Sequence, residues 1–86
     1  MNDTAVTSVG IFRKITGLDV SKRGAAMSDE DILSAAIESF GIDSLDTMEF
    51  IMAVEETFEV ELNEEAVNGC KNLRDLVALI DAAKRD

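Results

Sequence analysis

The chain is organised around one short stretch near its middle, Gly41-Ile42-Asp43-Ser44-Leu45-Asp46. Apolar residues at three- and four-residue steps follow it, so the stretch is predicted to be a loop that leads into a helix N-terminus. Asp43 is a good N-cap residue, and Asp46 is a weaker capping-box partner. The Ser44 hydroxyl is then expected to be exposed in the first turn, beside unpaired backbone N–H groups. A phosphate ester on that oxygen is favoured there by the N–H groups and by the helix dipole, the latter worth about 0.3–1 kcal/mol.

The same residues also fit a plain capped helix start, because Asp-Ser before an apolar run occurs in many helices. A longer pattern favours the more specific interpretation. Residues 41–58, GIDSLDTMEFIMAVEETF, resemble the signature of acyl carrier proteins, and the similarity runs without a gap from about Phe40 to Ile80. In that family the Ser of the Asp-Ser-Leu triplet carries 4′-phosphopantetheine. The resemblance therefore implies attachment at Ser44, with Asp43 and Leu45 beside the group.

The resemblance also implies a mechanism and partners. A phosphopantetheinyl transferase moves the arm from coenzyme A to Ser44, and the thiol of the arm then holds an acyl, hydroxyacyl, aminoacyl or polyketide intermediate as a thioester. The partners are acyl-loading, condensing or acyl-transfer enzymes of lipid biosynthesis, such as fatty acid biosynthesis, or of secondary metabolism, with basic docking patches. We expect a carrier protein with no catalytic residues, working as a monomer in the cytoplasm.

Composition excludes several other classes of function. The 86 residues are expected to form one domain, residues 1–86, with a net charge of −10 that argues against nucleic-acid binding. The chain has no His and a single Cys, so an internal disulfide, a zinc site and a His-dependent triad are all excluded. No apolar run approaches 18 residues, so no membrane insertion is expected. Lys and Arg are absent between Gly24 and Cys70, where acids recur from Asp29 to Glu65.

The N-terminal half is predicted to hold one long helix and one short one. Residues 1–4 are expected to fray. A first helix of about a dozen residues follows and ends near Gly17, with an apolar face of Ala5, Val6, Val9, Phe12 and Ile15. Asp19–Met27 is predicted to be a loop. The capping pattern Ser28-Asp29-Glu30-Asp31 then begins a short helix with Ile32, Leu33, Ala36, Ile37 and Phe40. This helical connection departs from the family's long loop and indicates a specialised member.

The central helix, about Ser44 to Phe58, is apolar on more than one face. Phe50, Ile51, Val54 and Phe58 are predicted to enter the core. Leu45, Met48 and Met52 form a second row, here called the apolar strip, flanked by Asp46, Glu49 and Glu56. The apolar strip is either buried as well or exposed for docking, and Met suits a docking surface because its side chain adapts. The resemblance favours docking to partner enzymes.

The C-terminal part is predicted to add two helices. After an extended link, Glu59–Leu62, Asn63 caps a brief helix from Glu64 to about Gly69, with Val67 and Cys70 facing inward. Asn72 begins the last helix, which buries Leu73, Leu76, Val77 and Ile80 and carries Lys84 and Arg85 at its negative end. The fold is an all-α, small antiparallel four-helix bundle: three main helices and a short third one, with an extra short helix in the first connection.

In the family, a cleft beside the central helix can shelter an acyl chain, and the matching candidates here are Ile51, Val54, Val67 and Cys70. Cys70 has no base to activate it as a nucleophile, so a buried small apolar residue is expected. Two alternative functions remain open. One is an acidic helical adaptor without a prosthetic group. The other is an acidic cation-binding module, although neither acidic run has the ligand spacing of an EF-hand and no dedicated metal site is expected.

Overall fold

The protein is a small bundle of helices. The computed structural model describes residues 2–18, 22 and 26–84. Its helices are α1 (Asp3–Thr16), α2 (Asp29–Ser34), α3 (Ser44–Phe58), α4 (Glu64–Asn68) and α5 (Leu73–Lys84), with a 3-10 turn at Ile37–Phe40. The predicted all-α bundle is confirmed, including the extra short helix, α2, in the first connection. None of the helices within the described part of the chain is long and apolar enough to cross a membrane.

Helix α1 begins earlier than expected. Asn2 caps it, since its side-chain oxygen accepts a hydrogen bond of 2.8 Å from the backbone N–H of Ala5. Thr4 is buried and donates a hydrogen bond of 2.6 Å to Asp81 in α5. The prediction that residues 1–4 fray was therefore wrong for residues 2–4, because this cap and a contact with the last helix hold them; Met1 lies outside the described residues. The helix ends at Gly17, as predicted, with φ of 76°.

The connection between α1 and α3 is the part that differs most from prediction. The capping box of α2 is confirmed, with Ser28 and Asp31 exchanging two hydrogen bonds of 3.1 Å. However, α2 ends at Ser34 instead of continuing to Phe40. Ala36 is extended and pairs with Asn72, and the N–H of Ile37 donates to the carbonyl of Lys71 at 2.9 Å. These hydrogen bonds to the residues just before α5 take the place of the hydrogen bonds that would continue α2.

The loop predicted at Asp19–Met27 falls mostly outside the described residues. Of its members, Lys22 and Ala26 have a helical backbone, which differs from the loop expected there. Two ion pairs hold the end of this segment and the first turn of α2. Arg13 lies 3.0 Å from Asp29 and also donates to the carbonyl of Met27 at 2.8 Å, and Arg74 pairs with Glu30. Two of the three acids of α2 are thus paired with basic side chains of α1 and α5.

Phe12 is a central residue of the core. It lies in α1, the helix that packs against α2, α3 and α5. The Phe12 ring meets those of Phe40 and Phe50 edge-to-face, at 4.9 and 5.4 Å between centroids. The predicted inward residues of α5 are confirmed as buried: Leu73, Leu76, Val77 and Ile80. In α3, Phe50 and Val54 are buried, whereas Ile51 and Phe58 are only partly buried against the core. Consequently one side of α3 is not covered by the core.

Candidate functional site

The start of α3 is a capped helix N-terminus, as its sequence predicts. Asp43 is the N-cap, and its side-chain oxygen accepts a hydrogen bond of 2.8 Å from the backbone N–H of Asp46. The Asp43 carbonyl accepts from both the N–H and the hydroxyl of Thr47, at 3.1 and 3.0 Å. Ser44 is the first helical residue and is exposed. Its hydroxyl therefore lies in the first turn, where the N–H groups of Ser44 and Leu45 have no partner inside the helix.

A wide, open cavity of about 570 Å³ begins at Ser44. It runs between α3 and α4. Its apolar walls come from α3, α4 and the link between them: Met48, Ile51, Met52, Leu62 and Val67. Polar groups, among them Thr47 and Glu55, also line it. A chain attached at Ser44 would thus find an apolar surface directly beside its point of attachment.

A second, smaller cavity of about 160 Å³ lies deeper, towards the core. Ile51 and Val67 line both cavities, and Cys70 lines only the smaller one. Val54, the other residue predicted for an acyl-chain cleft, lines neither. It is fully buried, because its position on α3, four residues after Phe50, directs it into the core. The assignment of these four residues to an acyl-chain cleft stays a prediction, with Val54 in the core and the other three beside a cavity.

Leu62 is a cavity residue that the sequence prediction missed. It follows the end of α3, where Glu59 takes the left-handed backbone conformation with φ of 55° and turns the chain back. The side chain of Glu55 then accepts a hydrogen bond of 2.9 Å from the Leu62 N–H. The available signal was the alternation of acids with Val60 and Leu62 in the link, which indicates one face turned towards the protein.

The apolar strip is exposed. Leu45, Met48 and Met52 are 62%, 60% and 61% exposed, respectively. Of the acids predicted to flank it, Glu49 and Glu56 are exposed and Asp46 is half-buried. Since α3 and α4 contain no Lys or Arg, these carboxylates have no basic neighbour in either helix. The alternative in which the strip is buried is thereby excluded, and Met48 and Met52 prove to line the open cavity as well.

Cys70 behaves as a packing residue. It is partly buried against the core, and its thiol donates a hydrogen bond of 3.4 Å to the carbonyl of Ala66. Burial raises the pKa of the Cys70 thiol above its ordinary value, and the nearby Asp75 carboxylate raises it further. Little thiolate is therefore present near neutral pH, which does not favour a nucleophile.

The residues at the start of α3 fit a 4′-phosphopantetheine group. A phosphodiester needs an accessible hydroxyl, and Ser44 is exposed. An anion there is favoured by the first-turn N–H groups and the positive end of the helix dipole. The flexible, largely apolar remainder of the group and its cargo require an apolar surface within reach, and the open cavity begins at the same serine. No group of three or more His, Cys, Asp or Glu within the described ranges could hold a metal ion.

Comparisons with known proteins agree with this site. Residues 9–80 match the family model described as phosphopantetheine attachment site. An acyl carrier protein of Campylobacter fetus is 32% identical over 77 residues, covering 90% of this chain and 100% of the relative. An acyl carrier protein of Helicobacter hepaticus is 43% identical over 73 residues, covering 85% and 96%. No solved structure shows a significant match.

The family model matches a longer part of the chain than residues 40–80, where the sequence resemblance was found. It also covers residues 9–16 of α1 and all of α2. The chain belongs to the acyl carrier protein family of phosphopantetheine-attachment domains. Its prosthetic group is 4′-phosphopantetheine, and it acts as a carrier of acyl groups and not as an enzyme.

Proposed function

We propose that Ser44 is the attachment residue and that the chain, as a single domain over residues 1–86, presents acyl intermediates to enzymes of lipid or secondary-metabolite biosynthesis. The observation that carries this proposal is the exposed Ser44 hydroxyl at the first position of a capped helix, at the edge of the open cavity. The group, once attached, supplies a thiol that holds the acyl group as a thioester. A phosphopantetheinyl transferase is the partner that loads it.

Each neighbour of Ser44 has a distinct task in this proposal. Asp43 caps the helix through Asp46 and keeps the first turn formed, so the Ser44 hydroxyl stays in one position for transfer. Leu45 is exposed beside it and offers an apolar contact to the loading enzyme. The helix N-terminus stabilises the phosphodiester after transfer.

The cargo is an acyl group with an apolar part, which the open cavity shelters from water. Ile51 and Val67 line this cavity and also the deeper one, where Cys70 joins them, so a chain that passes them reaches the smaller space. Apolar walls favour an alkyl chain because burial is worth about 0.8 kcal/mol per CH₂ group.

Partner enzymes dock on the apolar strip through basic patches. Asp46, Glu49 and Glu56 surround the strip on a helix without Lys or Arg, so the charge of this face complements a basic patch on the partner. Charge complementarity of this kind speeds association and makes it sensitive to salt. The single Cys is compatible with the reducing cytoplasm, where we place the protein.

The attachment is tested by intact mass after incubation with coenzyme A and a broad-specificity phosphopantetheinyl transferase. We expect a gain of one phosphopantetheine on the wild type and none on Ser44→Ala. Ser39→Ala is the matched control, because Ser39 is also an exposed serine and lies in the 3-10 turn that precedes α3. Loading of Ser44→Ala would contradict attachment at Ser44, and no loading of a folded wild type would contradict the carrier proposal and favour the adaptor function.

Docking is tested with the same enzyme by reversing charges. Glu49→Lys and Glu56→Lys should lower the kcat/KM of loading by about fivefold or more at low salt, and the difference should shrink as salt is added. Glu38→Lys makes the same charge reversal at an exposed position in the 3-10 turn and should leave loading nearly unchanged. An equal effect of all three variants would indicate that only net charge matters.

A further inference from the structure

The apolar strip carries an oxidisable pair of thioethers. Met48 and Met52 lie one helical turn apart on α3, and both are more than half exposed. They are two of the chain's four methionines. Met27 differs from them, because it is only partly exposed and packs against the core. An oxidant in solution therefore meets the sulfurs of Met48 and Met52 before that of Met27.

The same two side chains perform both tasks that the proposed function gives to this face. They are exposed next to Leu45, where a partner would dock, and they also line the open cavity that begins at Ser44. Oxidation turns a flexible apolar thioether into a polar sulfoxide and disrupts Met-rich contacts. One chemical change on this pair would thus alter the docking face and the cavity wall together, while the buried core of the bundle keeps its packing.

We propose that Met48 and Met52 form a reversible oxidation site that turns docking off, an inference that rests on the proposed function of this face. The oxidant class is a peroxide. A sulfur lone pair attacks one peroxide oxygen, the O–O bond breaks and an S–O bond forms. The leaving hydroxide takes the remaining proton and departs as water, so each sulfur loses two electrons and the peroxide gains two. A sulfoxide reductase restores the thioether.

Peroxide treatment followed by peptide mass mapping tests the selectivity of the site. Hydrogen peroxide is a suitable probe because it is neutral, so the acids around the apolar strip do not repel it. Met48 and Met52 should each gain one oxygen several times faster than Met27. Equal rates at all three residues, or faster oxidation of Met27, would overturn the proposal, and this readout does not depend on loading of Ser44.

The effect on docking is tested by removing peroxide with catalase and then measuring loading by the transferase. Oxidised wild type should be loaded roughly tenfold more slowly than untreated protein, since apolar contacts of two side chains are lost. Met48→Leu with Met52→Leu should keep its rate after peroxide, and Met27→Leu should lose it as the wild type does. Circular dichroism confirms that each sample is folded.

A permanent mimic separates failure of this inference from failure of the proposed function. Met48→Gln with Met52→Gln places polar, uncharged side chains at both positions and should slow loading without peroxide. If untreated wild type is not loaded at all, the proposed function fails. If untreated wild type is loaded, and the Gln variant or the oxidised protein is loaded equally fast, then Met48 and Met52 do not contribute to docking. The oxidation switch is then excluded.

Discussion

The Glu55 carboxylate accepts a hydrogen bond from the backbone N–H of Leu62, with 2.9 Å between the two atoms. Both residues line the open cavity. The backbone carbonyl of Glu55 also accepts from Val60 at 3.0 Å, so one residue of α3 holds both ends of the returning link. The position of Leu62 in the cavity wall therefore depends on the side chain of Glu55 in α3.

Replacing Glu55 by Ala should loosen this wall. Hydrogen bonds to charged groups contribute about 1.5–3 kcal/mol, and the partial exposure of Glu55 places the expected loss of unfolding free energy at the lower end. Urea denaturation measures it, and hydrogen exchange should show faster exchange at the Leu62 amide. Glu56→Ala, at the exposed neighbouring position, should change stability by no more than about 0.5 kcal/mol. Equal losses in both variants would refute the role of the hydrogen bond.

Two buried hydroxyls in α1 should respond to removal in opposite directions. The Ser8 hydroxyl is buried without a hydrogen-bond partner, whereas that of Thr4 donates to Asp81 and accepts from Lys84 at 3.1 Å. Ser8→Ala removes an unpaired polar group and improves helix propensity, so it should raise the unfolding free energy by about 0.5–1.5 kcal/mol. Thr4→Val keeps the shape but removes the hydrogen bonds that Thr4 makes with Asp81 and Lys84, and should lower the unfolding free energy by about 1 kcal/mol.

Thermal unfolding of these two variants, followed by circular dichroism, tests both predicted changes in stability. The prediction depends on the opposite signs more than on their size. A destabilising Ser8→Ala would mean that this hydroxyl has a partner in solution, such as a bound water.

A glycine at position 59, just after the end of α3, should increase the stability of the protein. Glu59 is the one non-glycine residue with a positive φ within the described ranges. The left-handed conformation costs a residue with a side chain about 1–2 kcal/mol, partly offset by the greater freedom of glycine in the unfolded chain. Glu59→Gly should therefore stabilise the protein by about 0.5–1 kcal/mol. Glu59→Gln, which removes the charge and keeps the strain, is the control in urea denaturation and should have little effect.

The reverse change at Gly41, just before the proposed attachment site, tests the same effect of a left-handed backbone on stability. Gly41 has φ of 67°, and a Cβ added there would meet no atom within 4 Å. Any loss in Gly41→Ala then comes from backbone strain alone, and about 1 kcal/mol is expected. No change in stability would indicate that the loop adopts another conformation.

The Cys70 thiol should react slowly while the protein is folded. Its pKa is raised by burial first and by Asp75 second, so less thiolate is present at a given pH than in the unfolded chain. The stability that this shift contributes is present below the ordinary pKa of a thiol, about 8.5, and declines as the pH rises through and above it. Iodoacetamide labelling at pH 8 should be slower in native protein than in urea. Equal rates would contradict the shift.

Local signals in the sequence were sufficient for α3 and for the caps of the two short helices. Ser44–Phe58 was predicted with both ends correct, because Asp43 supplies a strong N-cap and the apolar spacing continues to Phe58. The caps at Ser28 and Asn63 were predicted for the same reason, since each bond joins residues three apart. The apolar face of α5 was likewise clear from its period.

Contacts between distant parts of the chain decided the rest. Residues 2–4 are held by Asp81, and α2 stops at Ser34 because Ala36 and Ile37 bond to residues at the start of α5. The sequence determined by itself the span of α3, the capped start at Ser44 and the acidic face, because each depends on neighbours within a few positions. Only the tertiary structure decided that Val54 lines neither cavity, that Leu62 completes the open cavity and that Met48 and Met52 stay exposed, because burial depends on which helices pack together.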